Sequence, residues 1–166
     1  IQVPCLCDAD ALNLLSKHPD WWKLVQSPLV ITPHLGEMAR LTGRPITGIR
    51  DRLVQTAQEL AMEHQITVVL KDARTITAQP DGQSYINVSG NHGMATAGAG
   101  DVLSGVVGTL LAQKLDMHLA AALGVFIHGL AGDAAAERVG HCAMMASDIV
   151  DGLMDVLRKQ EDTKRQ

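Results

Sequence analysis

Gly90-Asn91-His92-Gly93-Met94-Ala95-Thr96-Ala97-Gly98-Ala99-Gly100-Asp101-Val102-Leu103-Ser104-Gly105 is the stretch on which the reading of this chain turns. Small and flexible residues lead into one carboxylate, and an apolar run at helical spacing follows through Val106, Val107, Leu110 and Leu111. Glycine lets backbone N–H groups come close to a ligand. The first turn of a helix adds unpaired donors and the positive end of its dipole. Together these hold phosphate. A fixed carboxylate beside phosphate is costly unless it has chemistry to perform, and accepting the proton of an attacking hydroxyl is such chemistry. A glycine loop in which Asp101 only caps a helix satisfies the same pattern. Neither the dinucleotide fingerprint nor a Walker loop fits.

Working outward, the segments before this stretch read as strands that end in polar residues. Residues 3–7 form a short apolar run followed by Asp8-Ala9-Asp10, then a helix from Ala11 that His18-Pro19 should end. Leu29-Val30-Ile31-Thr32 is a second buried strand, and Pro33-His34-Leu35-Gly36-Glu37 turns into a short helix through Leu41. Ile66 to Leu70 is a β-branched, apolar run typical of a central parallel strand, and it delivers Lys71 at its carboxyl end. Ligands bind at such ends in open α/β sheets. One of the Asp8–Asp10 pair is therefore a candidate for a ligand or magnesium-water contact, and His34, Glu37 and Lys71 are candidates for the same mouth. Helix capping, a turn and a surface lysine account for the same residues equally simply.

Thr42 to Ile49 reads as a loop, and Asp51 to His64 as a one-faced helix. Segments 74–78 and 83–88 flank Pro80-Asp81-Gly82, a hairpin signal that leads straight into the glycine stretch. Ala120 to Arg138 is apolar on most sides and predicts a central buried helix, with His128 and Asp133 as hydrogen-bonded interior groups. Ala146-Ser147-Asp148 signals the start of a last helix, and a charged, frayed tail is expected from Lys159. Trp21-Trp22 is a packing feature.

The 166 residues suffice for one core. With 14 basic and 18 acidic residues, 2% aromatics and no polybasic block, the chain is not built for nucleic acid or an anionic membrane surface. Three cysteines, Cys5, Cys7 and Cys142, have no zinc-like spacing and are expected as buried thiols in a reduced cytoplasmic compartment. Ile1-Gln2-Val3-Pro4 contains neither a leader nor an initiator Met, so the chain is expected to be processed or part of something longer.

The chain resembles the carboxy-terminal part of the ADP-dependent NAD(P)H-hydrate dehydratase domain, of the ribokinase-like superfamily. The residues that carry the resemblance are Asp8-Ala9-Asp10-Ala11-Leu12-Asn13, Thr32-Pro33-His34-Leu35-Gly36-Glu37, Val69-Leu70-Lys71-Asp72-Ala73, the 90–105 stretch, and His128-Gly129-Leu130-Ala131-Gly132-Asp133. It implies the carboxy-terminal portion of a three-layer α/β sandwich, residues 1–166 as one partial domain, with a mostly parallel sheet and an antiparallel hairpin. It implies dehydration of hydrated nicotinamide cofactors (NADHX and NADPHX) to NADH and NADPH, with ADP, or ATP in some members, as phosphoryl donor and Mg2+ as cofactor. By the same resemblance Asp101 is the catalytic residue. His34, Asp101, Asn91, Glu37 and Asp10 meet the hydrated substrate. Lys71, Asp72, Ala73, Arg74, Thr75, Gly98 and Gly100 meet the nucleotide, and metal ligands are unassigned. Homo-oligomers of four or more subunits and a fused hydrate epimerase domain are expected of the full-length protein, and an exposed sheet edge of this portion alone. Asp72 and Ala97 stand where the family usually has glycine. Ala97 therefore requires ordinary backbone geometry in the loop, and Asp72 brings a negative charge beside the nucleotide. The alternatives are a small-molecule kinase of the same superfamily, for a vitamin precursor or a sugar, and a catalytically impaired nucleotide-binding module.

Overall fold

Strands β2 (Leu29–Ile31) and β3 (Thr67–Leu70) are buried at every position, as strands covered on both faces must be. They form the middle of a five-stranded sheet in the order β1-β2-β3-β4-β5, with β1 at Cys5–Cys7, β4 at Ile76–Ala78 and β5 at Ser84–Ile86. The architecture comes from a computed structural model that describes residues 3–163. Strands β1, β2 and β3 pair in parallel, while β3–β4 and β4–β5 pair antiparallel. The sheet is thus evenly mixed, less parallel than the sequence suggested. The chain first reverses over 71–75, between β3 and β4, and again over Pro80–Gly82, between β4 and β5, with Gly82 at φ +85°.

Alternate side chains of these strands feed two separate cores, which is what the period of two requires. Leu29, Ile31, Val68, Leu70, Ile76 and Ala78 pack with Leu12, Met38, Ile49, Ala57 and Leu60. That layer contains α1 (Asp10–Leu15), α2 (Leu35–Thr42), α3 (Ile46–Asp51) and α4 (Leu53–His64). Val30 and Val69 face the other way, onto Leu103, Val107, Ala121 and Val125 of α5 (Ala99–Ala112) and α6 (Met117–Val139). A third cluster of Ala131, Ala135, Ile149 and Val156 joins α6 to α7 (Ala146–Thr163). Helix α6 is long and apolar enough to cross a membrane by length and composition, but it packs against α5, α7 and the sheet.

Several expectations are corrected. The loop expected over Thr42–Ile49 contains α3, because Pro45 presets φ at the helix start and Ile49 buries completely. The helix expected from Asp51 is broken at Arg52, whose backbone (φ −133°, ψ 45°) is not helical. Cys5 and Cys142 are exposed and Cys7 half-buried, since β1 is an edge strand and Cys142 lies in the connection after α6. The tail expected to fray from Lys159 is helical to Thr163, and 164–166 lie outside the described residues. Asp148 caps α7 from inside, its Oδ2 accepting the Met145 N–H at 2.7 Å. Trp21 is buried and meets Trp22 edge-on, and Trp22 stacks on His64 at 4.4 Å, so the pair does serve packing.

Candidate functional site

Three parallel strands end at one edge, so their next residues emerge side by side. Lys71 donates its backbone N–H to the Pro33 carbonyl at 2.8 Å, and His34 and Lys71 form an isolated parallel bridge. From β1, Asp8 reaches across to Lys71, with Oδ1 2.7 Å from Nζ. Its second oxygen accepts the Ser104 hydroxyl of α5 at 2.8 Å. The two side chains are only 11% and 20% exposed, so this is a largely desolvated ion pair. Burial pushes the Asp8 carboxyl up, but the bonds and charge of Lys71, with the hydroxyls of Ser104 and Thr32, outweigh it and hold the group below the usual carboxylate range.

The glycine stretch lies over this pair. A Cβ placed on Gly100 would come 3.4 Å from Lys71 Nζ and 3.7 Å from Asp8 Oδ2. Gly98 is the N-cap of α5 in the left-handed conformation (φ +86°), which an L side chain rarely adopts. Ala97 keeps a negative φ, so its departure from glycine falls where the backbone tolerates it. Among the described residues no side chain caps α5; the Ala99 N–H bonds the Thr96 carbonyl at 3.3 Å, and those of Gly100 and Asp101 are left to a ligand or solvent. Asp101 stands in that first turn, exposed. The arrangement is an uncapped helix end, a lysine beneath it and a free carboxylate at its lip.

What precedes the cradle is latched to α6. Asp133 accepts the Gly90 N–H at 2.9 Å through Oδ2 and the Asn91 amide at 3.0 Å through Oδ1. The Asn91 amide also donates to the Gly132 carbonyl at 2.9 Å, and its Oδ1 accepts the Gly93 N–H at 3.0 Å. Gly129 and Gly132 let the loop sit against the helix: side chains there would run into Ser89 and Met94. His128 is buried on the same helix, next to the Ala99 backbone and near Lys71, and Nε2 has no partner among the described residues. Burial lowers its pKa from 6.5 to about 4, so the ring is neutral.

The other residues singled out from the sequence lie around this centre. His34 caps α2, its Nδ1 accepting from Gly36 at 2.9 Å and Glu37 at 3.2 Å, and the ring is half exposed. Glu37 completes the capping box by accepting the His34 N–H at 2.8 Å; it is buried, turned toward His34. The polar side-chain groups of Asn91 and Glu37 are thus engaged within the protein. Asp72, Ala73 and Arg74 are exposed on the bend after Lys71, with Thr75 behind them, and Arg74 donates to the Val88 carbonyl at 3.2 Å. Asp10 is exposed and accepts from Asn13 at 3.4 Å. Of the two acids in that turn, Asp8 is the one at the centre. The residues left the choice within the Asp8–Asp10 pair open and the resemblance named Asp10; Ser104 was not singled out. The available signal was that Asp8 directly follows β1 just as Lys71 follows β3.

The NAD(P)H-hydrate dehydratase family model matches residues 1–154, and the chain belongs to this family. It is 50% identical over 162 residues to the bifunctional NAD(P)H-hydrate repair enzyme of Moorella thermoacetica, covering 98% of this chain and 31% of that protein. It is 40% identical over 149 residues to the ADP-dependent (S)-NAD(P)H-hydrate dehydratase of Neisseria meningitidis, covering 88% of this chain and 50% of that protein. Among solved structures, the ADP/ATP-dependent NAD(P)H-hydrate dehydratase of Bacillus subtilis, co-crystallised with ATP and Mg2+, superposes with a TM-score of 0.83 at 30% identity. That match covers 94% of this chain and 55% of the other. The fold is the ribokinase-like α/β sandwich with a mixed sheet. The chain spans between about a third and a half of the length of these relatives.

Proposed function

We propose that this chain is the carboxy-terminal part of a dehydratase that converts the S form of NADHX or NADPHX to NADH or NADPH at the expense of ADP. The observation that carries the reading is Asp101: an exposed carboxylate in the first turn of an uncapped helix, beside a glycine loop over a half-buried lysine. Family membership supports the substrate and donor. Water leaves C6 of the hydrated ring poorly, and phosphate leaves well. Asp101 accepts the proton of the C6 hydroxyl as its oxygen attacks the β-phosphorus, and AMP departs. The ring nitrogen lone pair then expels phosphate from C6, and loss of the C5 proton restores the double bond. Charge on the phosphoryl oxygens is met by the N–H groups at the start of α5 and by Lys71.

His34 lines the mouth for the hydrated dinucleotide, and Gly98, Gly100 and the Lys71–Thr75 bend line the nucleotide side. Magnesium offsets diphosphate charge when bound with the nucleotide. Among the described residues no three acidic, histidine or cysteine side chains gather to hold a metal. We place the full-length protein in the cytoplasm, as a homo-oligomer of four or more subunits. The bifunctional relative supports a fused hydrate epimerase domain.

Asp101→Asn in the full-length protein should lower turnover of NADHX by about 10²–10⁴-fold, the usual weight of a general base, while ADP still binds. Recovery of reduced-nicotinamide absorbance measures turnover, and calorimetry measures binding. Near-normal turnover would refute the assignment. Free phosphate with regenerated NADH separates the reaction from a kinase, which would release a stable phosphorylated alcohol.

A further inference from the structure

Asp8 has no part in the chemistry above, yet both of its carboxylate oxygens are engaged at the site. It bonds Lys71, 63 residues away, at 2.7 Å and Ser104, 96 residues away, at 2.8 Å, joining the ends of β1 and β3 to α5. The backbone that aims it is strained. Ala9, the next residue, has φ +49° and ψ −119°, a region that favours glycine, so the surrounding fold forces this turn. The lysine it holds lies beneath Gly100, where a Cβ would sit 3.4 Å from Nζ. An ammonium placed next to the positive end of a helix is unfavourable unless a fixed anion balances it.

We propose that Asp8 is a positioning residue for phosphate recognition: it holds Lys71 under the first turn of α5, so that the lysine bridges Asp8 and the incoming diphosphate. Ser104 fixes the carboxylate by its second oxygen. The role is specific to the phosphate part of the ligand, because, of the predicted contacts, Asp8 hydrogen-bonds Lys71. It rests on the reading of the site as a nucleotide diphosphate site and adds the residue that makes its lysine effective. Without the carboxylate the ammonium loses its anchor and its counter-charge, and the cradle keeps only backbone donors.

The test is a double-mutant cycle in the full-length protein, read by calorimetry with ADP and with adenosine as the phosphate-free probe. Asp8→Asn keeps the shape and removes the charge. It should weaken ADP about tenfold, within the range of coupling between groups in one network, and leave adenosine within about twofold. In a Lys71→Met background, Asp8→Asn should change ADP affinity by less than about twofold, since the lysine through which it acts is gone. In steady state the same variant should raise KM for ADP more than it lowers kcat. Ser104→Ala, which removes one hydrogen bond and no charge, should shift ADP in the same direction by a smaller factor. Asp8→Glu should restore part of the loss. If Asp8→Asn does not fold, Ser104→Ala and Asp8→Glu carry the test by the same ADP-to-adenosine ratio. Equal losses for ADP and adenosine, equal losses with and without Lys71, or ADP binding unchanged or tighter would each overturn the proposal. Failure of the wild-type protein to bind ADP would overturn the nucleotide reading and this proposal together. Normal ADP binding with an unaltered Asp8→Asn response would overturn only the role of Asp8.

Discussion

Ala9 is the residue at which local preference and the observed backbone conflict most. Its φ of +49° with ψ −119° costs an L residue on the order of 1–3 kcal/mol, and only glycine visits the region freely. Glycine also loses more entropy on folding, by roughly 0.5–1 kcal/mol. The strain term is the larger, so Ala9→Gly should stabilise the protein by about 1 kcal/mol, read as a rise in the denaturation midpoint. A lower midpoint would mean that the turn is not strained as described. The demand for a positive φ at Ala9 arises from where Asp8 must reach, which no neighbouring residue announces.

At the scale of elements, the glycine stretch and α6 behave as one unit. Three hydrogen bonds run from Gly90 and Asn91 to Asp133 and the Gly132 carbonyl, and a fourth ties the Gly93 N–H to Asn91 within the loop. Asp133→Ala strands the Gly90 N–H and one Asn91 donor, and should cost about 2–3 kcal/mol, as should Asn91→Ala. The double variant should lose clearly less than the sum, because each single change already breaks the shared contacts. Chemical denaturation of the three variants measures this, and simple additivity would refute the latch. Helix existence here was legible in advance: Val102, Leu103, Val106 and Val107 recur at helical spacing, and α5 and α6 lie where that spacing put them. Helix α3 was not legible, because Pro45, Gly48 and a nearby Gly43 read as loop. What makes it a helix is the burial of Ile49 against the sheet core. That contact lies outside any local window.

For the molecule as a whole, acid stability follows from two buried groups. His128 binds a proton in the unfolded chain below 6.5 but in the native state only below about 4. As pH falls between these values the unfolded state takes up more protons, so folding stability declines, by up to about 3 kcal/mol. Asp8 acts lower down. Its native carboxyl lies below the ordinary aspartate value of 3.8, so the stability it contributes is present above that value and is lost as pH falls further. His128→Gln should therefore flatten the stability curve between pH 6.5 and 4 while leaving the loss below 3.8 in place. Denaturation midpoints across that range decide it. An unchanged slope from pH 6.5 to 4 would show that His128 is not the group responsible.

The sequence alone determined those features whose cause is local. The continuous burial of β2 and β3, the helical spacing after Asp101 and the hairpin at Pro80-Asp81-Gly82 all follow from neighbouring residues, and the family follows from the motifs at those places. Tertiary structure decided which side chains meet. Asp8 and Asp10 are indistinguishable as text: both are acids in one strand-to-helix turn. Only the sheet brings Lys71 alongside and α5 brings Ser104, and these partners select Asp8. Likewise Cys5 and Cys7 look like core thiols until β1 takes the edge of the sheet. The glycine stretch was readable as a candidate anion site, but the lysine and carboxylate beneath it and its latch on α6 come from segments distant in sequence. Their convergence depends on packing, and no local pattern encodes it.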